Sequence, residues 1–209
     1  MAISQHGAVR WWNRLAKPAV FLLCLVPAAW LIYAAFANAL GPNPAEALIR
    51  STGDWTLRLL CATLAITPLR TVLHKPSLAR FRRMLGLFTF FYGVLHFICY
   101  SFFDMEWVWA DIAADIIKRP FILVGTATLL LMLPLALTSS NRAIKALGGA
   151  RWQKLHRLVY ATAVLALLHF FWMRAGKNDF AEVAVYAAVV ACLLGWRVQR
   201  ARHKRRLQA

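Results

Sequence analysis

Long apolar runs separated by short polar segments constrain this chain more than any other feature of its sequence. Several of these runs approach or exceed the roughly 18–20 residues that a helix needs to cross a bilayer. Hydrophobic residues make up 61% of the 209 positions and charged residues only 16%, whereas soluble domains have about 45–50% and about 25%. The sequence therefore predicts an all-α, polytopic membrane helical bundle, with no room for a sizeable soluble domain.

Turn and breaker signals divide the apolar sequence into six predicted transmembrane helices. Clusters such as "GPNP" (Gly41 to Pro44) and "KRP" (Lys118 to Pro120) separate neighbouring runs. We expect residues 1–209 to form one transmembrane domain. Alternatively, "AFAN", around Ala35 and Ala37, ends a cleaved signal peptide, which would leave five spans with the same later orientation. The six predicted spans are about 18–40, 55–73, 84–103, 120–138, 154–173 and 180–197.

The charged residues give the orientation of these spans. With the N-terminus inside, 19 of the 25 Lys and Arg residues fall in inner segments, and all eight Asp and Glu residues fall in outer segments. Cytoplasmic loops of membrane proteins carry the excess of Lys and Arg, so we expect both termini to face the cytoplasm. The net charge of +17 then originates in short loops and a tail rather than on a folded face, and nucleic-acid binding is not expected.

Two histidines lie inside predicted spans at similar depth. At a rise of about 1.5 Å per residue, His96 is about 12 Å and His169 about 7–8 Å below the outer ends of their helices. An ionisable side chain within a bilayer is costly unless it has a partner, and it is therefore a functional candidate. Two neutral imidazoles can form a bis-histidine axial pair for haem, which suits electron transfer. Alternatively, each histidine hydrogen-bonds a neighbouring helix.

Three further residues are weaker candidates for a haem site. His156 lies 13 residues before His169, so a bend or π-bulge is needed for both to face the same way. An inner haem could have His156 on one side and Arg82, or no protein ligand, on the other, although arginine stays protonated and is a poor metal ligand. Alternatively, His156 is an interfacial residue near lipid headgroups. Arg58 either snorkels to the outer interface or pairs with a haem propionate.

Any haem in this chain is expected to be bound without a covalent thioether link. The four cysteines are far apart in the sequence, and no C-x-x-C-H motif is present. Small and aromatic neighbours of the two central histidines could flank a flat macrocycle, although aromatic residues at helical spacing are more often plain packing. These neighbours are Gly93, Phe97, Phe170 and Phe171.

Several stretches of the sequence resemble the MsrQ family, formerly called YedZ. They are "RRMLGLFTFFYGVLHFICY" (Arg82 to Tyr100), "LGGARWQKLHRLVYATAVLALLHFFW" (Leu147 to Trp172), "TLRLLCATLAITPLR" (Thr56 to Arg70) and "KRPFILVG" (Lys118 to Gly125). The resemblance covers nearly the whole chain. It implies the haem-binding membrane subunit of a bacterial methionine sulfoxide reductase system, within the wider ferric-reductase-like transmembrane group. His96, His156 and His169 match the family's histidines.

The resemblance also implies a location, cofactors and partners. It implies six helices in the bacterial inner membrane and one or two haem b groups. Electrons would come from the quinone pool, or from a cytoplasmic flavin reductase, and would pass to a periplasmic molybdopterin subunit, MsrP. That partner reduces methionine sulfoxide in periplasmic proteins, so the catalytic step is expected in MsrP and not in this chain. The family is also described as binding FMN, although no flavin motif is evident here.

Two other functional hypotheses remain open at the level of the sequence. One is a ferric or oxygen reductase subunit of the same wider group, whose flavin and nicotinamide domain would have to be a separate chain. The other is a transporter or scaffold without a cofactor, in which the histidines serve a proton path or helix packing.

Overall fold

The regular structure of the described chain is helical, as predicted. The computed structural model describes residues 3–176 and 178–207, and the side chains of residues 15–176, 178–203, 206 and 207. Across that part of the chain no strand is present. The helices are α1 (Ile3–Phe36), α2 (Pro44–Val72), α3 (Ala79–Phe103), α4 (Trp109–Lys118), α5 (Pro120–Leu137), α6 (Asn141–Leu147), α7 (Gly149–His156), α8 (Leu158–Ala175) and α9 (Ala181–Arg206), with a 3-10 turn at Pro76–Leu78.

Five helical segments among the described residues are long and apolar enough to cross a membrane. They correspond to the first, third, fourth, fifth and sixth predicted spans. The predicted span at 55–73 lies within α2, which carries Arg58, Arg70 and several threonines and is not among the five. The six-span topology therefore stays a prediction. The five segments are Leu15–Phe36, Pro76–Phe103, Pro120–Leu137, Gly149–Ala175 and Ala181–His203.

Helix α2 begins well before the span predicted within it. The side chain of Asn43 caps the helix by accepting a hydrogen bond of 3.1 Å from the backbone N–H of Glu46. Pro44 takes the first helical position, where its missing N–H has no intrahelical partner to lose. Three turns of α2 therefore precede Trp55, and they include Ile49 and Gly53, which contribute to the site described below.

Two helix pairs form the centre of the bundle. Helix α2 packs along α3, and α5 packs along α8. Helix α2 also takes part in both hydrophobic core clusters. Leu60 and Leu64 of α2 lie in one cluster with residues of α8 and α9, and Leu59 and Ile66 lie in the other with residues of α1 and α3. Among the described residues, α2 is thus the helix that contributes buried side chains to both core clusters.

Tyr92 of α3 interrupts the hydrogen-bond ladder of α1. Its side chain is fully buried, and its hydroxyl donates to the carbonyl of Cys24 at 2.8 Å and accepts from the N–H of Ala28 at 3.0 Å. In a regular helix the N–H of Ala28 would bond directly to the carbonyl of Cys24. The inserted hydroxyl therefore ties α1 to α3 beside Pro27, at a point where a helix is prone to bend.

The predicted fifth span is interrupted near its inner end. Helix α7 ends at His156 and α8 begins at Leu158, with Arg157 between them in a turn. The sequence predicts that a bend or a π-bulge is needed if His156 and His169 are to face in one direction; the structure has a turn at Arg157 between them, and the two histidines line different cavities. The turn separates the helix that ends at His156 from the 18-residue helix that carries His169.

Candidate cofactor site

His96 of α3 and His169 of α8 face each other at the centre of the bundle. Their ring centroids are 6.1 Å apart and their ring planes cross at 74°. Both side chains line a cavity of about 600 Å³, here called the outer cavity, which Gly93, Phe97 and Phe170 also line. The structure therefore brings together the two histidines that the sequence placed at similar depth.

Each of these histidines bonds a backbone carbonyl through Nδ1. The Nδ1 atom of His96 lies 2.8 Å from the carbonyl oxygen of Ile49, and that of His169 lies 2.6 Å from the carbonyl oxygen of Phe121. A carbonyl oxygen only accepts, so Nδ1 is the donor in both rings and Nε2 of the neutral imidazole carries the lone pair. Histidines that bind metals commonly have this arrangement, with one ring N–H donated to a backbone carbonyl.

Two glycines let the imidazoles lie close to neighbouring helices. A Cβ atom at Gly53 of α2 would lie 3.2 Å from Cε1 and Nδ1 of His96. A Cβ atom at Gly125 of α5 would lie 2.8 Å from Cε1 and 2.9 Å from Nδ1 of His169. A side chain at either position would therefore push the ring away from the helix.

The spacing of the two rings fits one metal ion bound between them. Metal–imidazole bonds of about 2.0–2.1 Å on both sides of an ion separate the ring centres by roughly 6–6.5 Å, and the observed distance is 6.1 Å. The largely apolar surroundings and the volume of about 600 Å³ suit an organic cofactor better than a bare ion. His96 and His169 could thus serve as axial ligands of a haem.

Charged residues line one edge of the outer cavity. Arg50 and Arg119 are among the lining residues, and Asp115 of α4 holds Arg119 in a two-pronged ion pair. The hydroxyl of Tyr100 donates to the same carboxylate. Burial opposes ionisation of Asp115, but the hydrogen bonds from Arg119 and Tyr100 outweigh it and hold the pKa of this carboxyl below its usual range. Arg119 is therefore fixed beside the cavity at neutral pH.

Arg58, which the sequence offered as a partner of a haem propionate, lies elsewhere. Its Nε atom donates to the hydroxyl of Tyr186 of α9 at 3.3 Å, and its guanidinium lies 5.0 Å from the ring centre of Trp55. The side chain is exposed and does not line the outer cavity. This position favours the snorkelling interpretation over the propionate interpretation.

A second cavity of about 480 Å³, here called the inner cavity, contains the other candidates. Arg82 and His156 both line it, so the structure does bring them to one cavity. Met132 of α5, which is 5% exposed, lines both the inner and the outer cavity. No Asp or Glu is among the described residues that line the inner cavity. Its basic and histidine lining consists of Arg82, Arg83, His156, Arg157 and Arg197.

His156 is held in a polar network within the inner cavity. The hydroxyl of Thr138 donates to the carbonyl of Pro134 at 2.6 Å, so it accepts from Nε2–H of His156, 3.0 Å away. Trp152 stacks on the imidazole with ring centres 3.9 Å apart, and its Nε1–H donates to the carbonyl of Thr138. Nδ1 of His156 therefore carries the lone pair. Among the described residues that line this cavity, His156 is the one histidine.

Comparison with known proteins places the chain in a family. The model of the ferric reductase like transmembrane component family matches residues 52–167, more than half of the chain. The protein-methionine-sulfoxide reductase heme-binding subunit MsrQ of Polaromonas naphthalenivorans is 63% identical over 95% of this chain and 91% of its own length. The MsrQ of Ralstonia nicotianae is 55% identical, over 88% and 85%, and that of Caulobacter vibrioides 43% identical, over 88% and 86%. The chain belongs to the MsrQ family.

Membership of the MsrQ family confirms the resemblance found in the sequence. Together with the five apolar helices, it identifies the chain as a multi-pass membrane protein. The names of the MsrQ relatives describe haem-binding subunits of a methionine sulfoxide reductase. No solved structure matches the chain significantly.

The sequence reasoning missed the glycines and the arginines that adjoin the histidine pair. Gly53 lies outside the predicted span at 55–73, and Gly125 lies in the predicted span at 120–138 without any chemical group to attract attention. A signal was nevertheless present, because the pattern G-x-x-T-L occurs at both glycines and L-H-F at both histidines. These occurrences are Gly53–Leu57, Gly125–Leu129, Leu95–Phe97 and Leu168–Phe170.

Proposed function

We propose that this chain is the haem-binding membrane subunit of a methionine sulfoxide reductase system and moves electrons across the bacterial inner membrane. The observation that carries the proposal is the pair His96 and His169. Their ring centres are 6.1 Å apart, and both Nδ1 atoms are bonded to backbone carbonyls. The pair occurs in a chain whose relatives are named as haem-binding subunits.

The bound group is proposed to be a b-type haem held by His96 and His169. A haem ligated at both axial positions would supply a one-electron carrier with no open position for oxygen or substrate. The absence of a C-x-x-C-H motif in the sequence supports noncovalent binding. The protein's own contribution is to hold the two imidazoles with their ring centres 6.1 Å apart and Nε2 unprotonated, to surround the site with largely apolar side chains, and to hold Arg119 in the lining of the cavity.

We further propose that α2 is the sixth transmembrane helix and that both termini face the cytoplasm. Helix α2 has 29 residues, which at about 1.5 Å per residue is more than enough to cross a hydrocarbon core of about 30 Å. Its contacts with both core clusters account for its polar composition, because its surroundings are largely protein. The excess of Lys and Arg in the proposed inner loops supports the orientation.

The inner cavity is proposed as the place where electrons enter. Its basic lining, which includes Arg82 and Arg157, suits an anionic or carbonyl-bearing electron donor, and Met132 is the residue it shares with the outer cavity. Quinone is the proposed donor, and a cytoplasmic flavin reductase is the alternative; FMN is a separate cofactor that the family resemblance implies, and no site is proposed for it. A second haem ligated through Nδ1 of His156 is a further alternative for the same cavity.

The partner that accepts the electrons is proposed to be MsrP, on the periplasmic side. His96 and His169 lie in the outer halves of α3 and α8, so a cofactor between them would be near the outer face. All eight acidic residues also fall in the proposed outer segments. The reduction of methionine sulfoxide itself would take place in MsrP, and this chain is proposed to be an electron-transfer subunit rather than the catalytic one.

Absorption spectra of the purified chain test the haem proposal. The chain, produced with sufficient haem and purified in mild detergent, is expected to give a low-spin b-type spectrum that changes on reduction. His96→Ala and His169→Ala are each expected to lose haem or to convert it to a high-spin form. His74→Ala is the matched control, because His74 is exposed in the loop after α2. A well-folded but colourless wild type, or unchanged spectra in both variants, would refute the proposal.

Reoxidation of the reduced protein tests the proposed partner. Addition of MsrP and methionine sulfoxide is expected to reoxidise the reduced chain rapidly and completely, whereas methionine sulfoxide alone should not, and oxidised MsrP alone should do so only up to the electrons that its own redox centre can accept. Equally fast reoxidation by a ferric chelate, with no response to MsrP, would support a ferric reductase subunit instead and would contradict the assignment of the acceptor.

A further inference from the structure

In the helix pair α2–α3, the imidazole of His96 lies against the backbone of α2. The ring of His96 on α3 lies against Gly53 of α2, where a Cβ atom would be 3.2 Å from Nδ1. The same Nδ1 lies 2.8 Å from the carbonyl oxygen of Ile49, which is one helical turn before that glycine. The glycine and the carbonyl thus form a shallow seat on the surface of α2 for one edge of the imidazole.

The helix pair α5–α8 repeats this arrangement with different residues. The ring of His169 on α8 lies against Gly125 of α5, where a Cβ atom would be 2.9 Å from Nδ1. That Nδ1 lies 2.6 Å from the carbonyl oxygen of Phe121, again four residues before the glycine. In both pairs the glycine helix precedes the histidine helix in the chain, and 43 or 44 residues separate the glycine from its histidine.

We propose that Gly53 and Gly125 are positioning residues for the two haem ligands. Each glycine lets an imidazole approach a helix backbone closely enough for Nδ1–H to reach the carbonyl one turn earlier. The two seats would thereby fix the tautomer, the orientation of each ring and the basicity of each Nε2 atom. This inference rests on the proposed haem function of His96 and His169, and it assigns a role to backbone atoms on the two helices that carry neither ligand.

The contacts of the other glycines distinguish this role from ordinary close packing. A Cβ atom at Gly93 or Gly86 would meet its nearest neighbour at 3.4 Å or more, which is an ordinary van der Waals contact. A Cβ atom at Gly195 of α9 would meet nothing within 4 Å. Among the described glycines, Gly53 and Gly125 are the two at which an added Cβ would lie against a histidine ring.

The two seats differ in tightness, so the proposal predicts a graded response. The contact at Gly125, 2.8 Å from Cε1 of His169, is shorter than real Cβ atoms tolerate, and the imidazole is a rigid ring that cannot yield by bending. The contact at Gly53, 3.2 Å, needs only a small shift of His96. Alanine should therefore disturb ligation more at position 125 than at position 53.

Haem binding and EPR spectra of single alanine variants test this proposal. Gly125→Ala is expected to bind haem about 10-fold or more weakly and to hold the remaining haem partly in a high-spin form. Gly53→Ala should remain low-spin but show a shifted EPR signal and midpoint potential, because the angle between the rings changes from the 74° of the wild type. Gly195→Ala is the matched control and should match the wild type in all three measurements.

The controls separate failure of this inference from failure of the proposed function. If wild type carries low-spin haem that depends on His96 and His169, and Gly125→Ala leaves the spectra, haem affinity and potential unchanged, the inference is overturned and the haem function stands. If wild type binds no haem, the proposed function itself fails. Should Gly125→Ala fail to fold, as judged by size-exclusion chromatography, Gly53→Ala decides, and an unshifted signal and potential in that variant count against the inference.

Discussion

At the scale of single residues, Arg119 is a fixed charge in the lining of the cavity between His96 and His169. It lines the outer cavity, and Asp115 fixes its guanidinium. A positive charge near a redox centre favours the reduced form, which has one positive charge fewer. Two unit charges about 10 Å apart in an effective dielectric of about 20 interact by about 1–2 kcal/mol, which sets the scale for a charge in the cavity lining. Because the Arg119 side chain is 42% exposed, solvent screens its charge, and we expect the interaction energy to be near the lower end of this range.

Replacement of Arg119 is therefore expected to lower the haem midpoint potential. In Arg119→Gln the decrease should be some tens of millivolts, since roughly 60 mV corresponds to 1.4 kcal/mol for one electron. Potentiometric titration of the purified protein measures it. Arg58→Gln is the comparison, because Arg58 is bonded to Tyr186 and lies outside the outer cavity. A larger decrease in Arg58→Gln than in Arg119→Gln would reverse the assignment of the two arginines.

The same residues show what single-residue reasoning can and cannot reach. His96 and His169 could be selected from the sequence because an ionisable group inside an apolar run needs a reason to be there. The repeated G-x-x-T-L pattern marks Gly53 and Gly125 but does not explain them, because their role depends on a histidine ring of another helix that an added Cβ atom would meet at 3.2 Å or less. Arg119 lies at the border of a predicted loop and span, and its place beside the cavity depends on the way α4 leads into α5.

At the scale of helices, the insertion of Tyr92 into α1 predicts a local contribution to stability. Removal of the hydroxyl in Tyr92→Phe deletes its hydrogen bonds to Cys24 and Ala28, while the ring remains. We expect the free energy of unfolding to fall by about 1 kcal/mol, the usual value of a hydrogen bond in membrane and soluble proteins. Thermal or denaturant unfolding in detergent measures the change.

Tyr33→Phe is the matched control for this prediction. Tyr33 lies in α1, but its side chain is 61% exposed and its ring centre lies 5.7 Å from that of Trp30. Its replacement should leave stability unchanged. Equal stability of the Tyr92→Phe and Tyr33→Phe variants would mean that the direct bond between Ala28 and Cys24 re-forms and that the inserted hydroxyl adds nothing.

Helix boundaries were the part of each element that the sequence predicted least well. The cap at Asn43 and Pro44 is present in the sequence, but "GPNP" by itself indicates only a boundary between two apolar runs. Helix α2 consequently begins 11 residues before the predicted span, and those residues contain both parts of the seat for His96. The break at Arg157 has no proline or glycine within it, so its position could not be predicted from breaker residues.

At the scale of the whole molecule, the two cavities relate to the distribution of charge. The inner cavity is lined by basic residues such as Arg82 and Arg157, and the outer cavity has Asp54 and Asp104 together with Arg119 at its edge. In the proposed orientation, the basic lining of the inner cavity lies on the side with the basic loops, and the acidic lining residues of the outer cavity lie on the side with the acidic segments. The distribution of charged residues along the sequence predicted this asymmetry of charge. The position of Met132 in the lining of both cavities depends on how the helices pack, and the sequence could not predict it.

The proposed topology depends on α2, because only a membrane-crossing α2 puts the loops before and after it on opposite sides. Single cysteines at three exposed positions, introduced as Ala39→Cys, Ser77→Cys and Asp111→Cys, distinguish the possibilities. With six spans, an impermeant maleimide should label positions 39 and 111 in intact spheroplasts and position 77 only after permeabilisation. The wild type is the blank, because its four cysteines lie within α1, α2, α3 and α9. Labelling of positions 39 and 77 from the same side would mean that α2 does not cross, and the six-span topology would then be wrong.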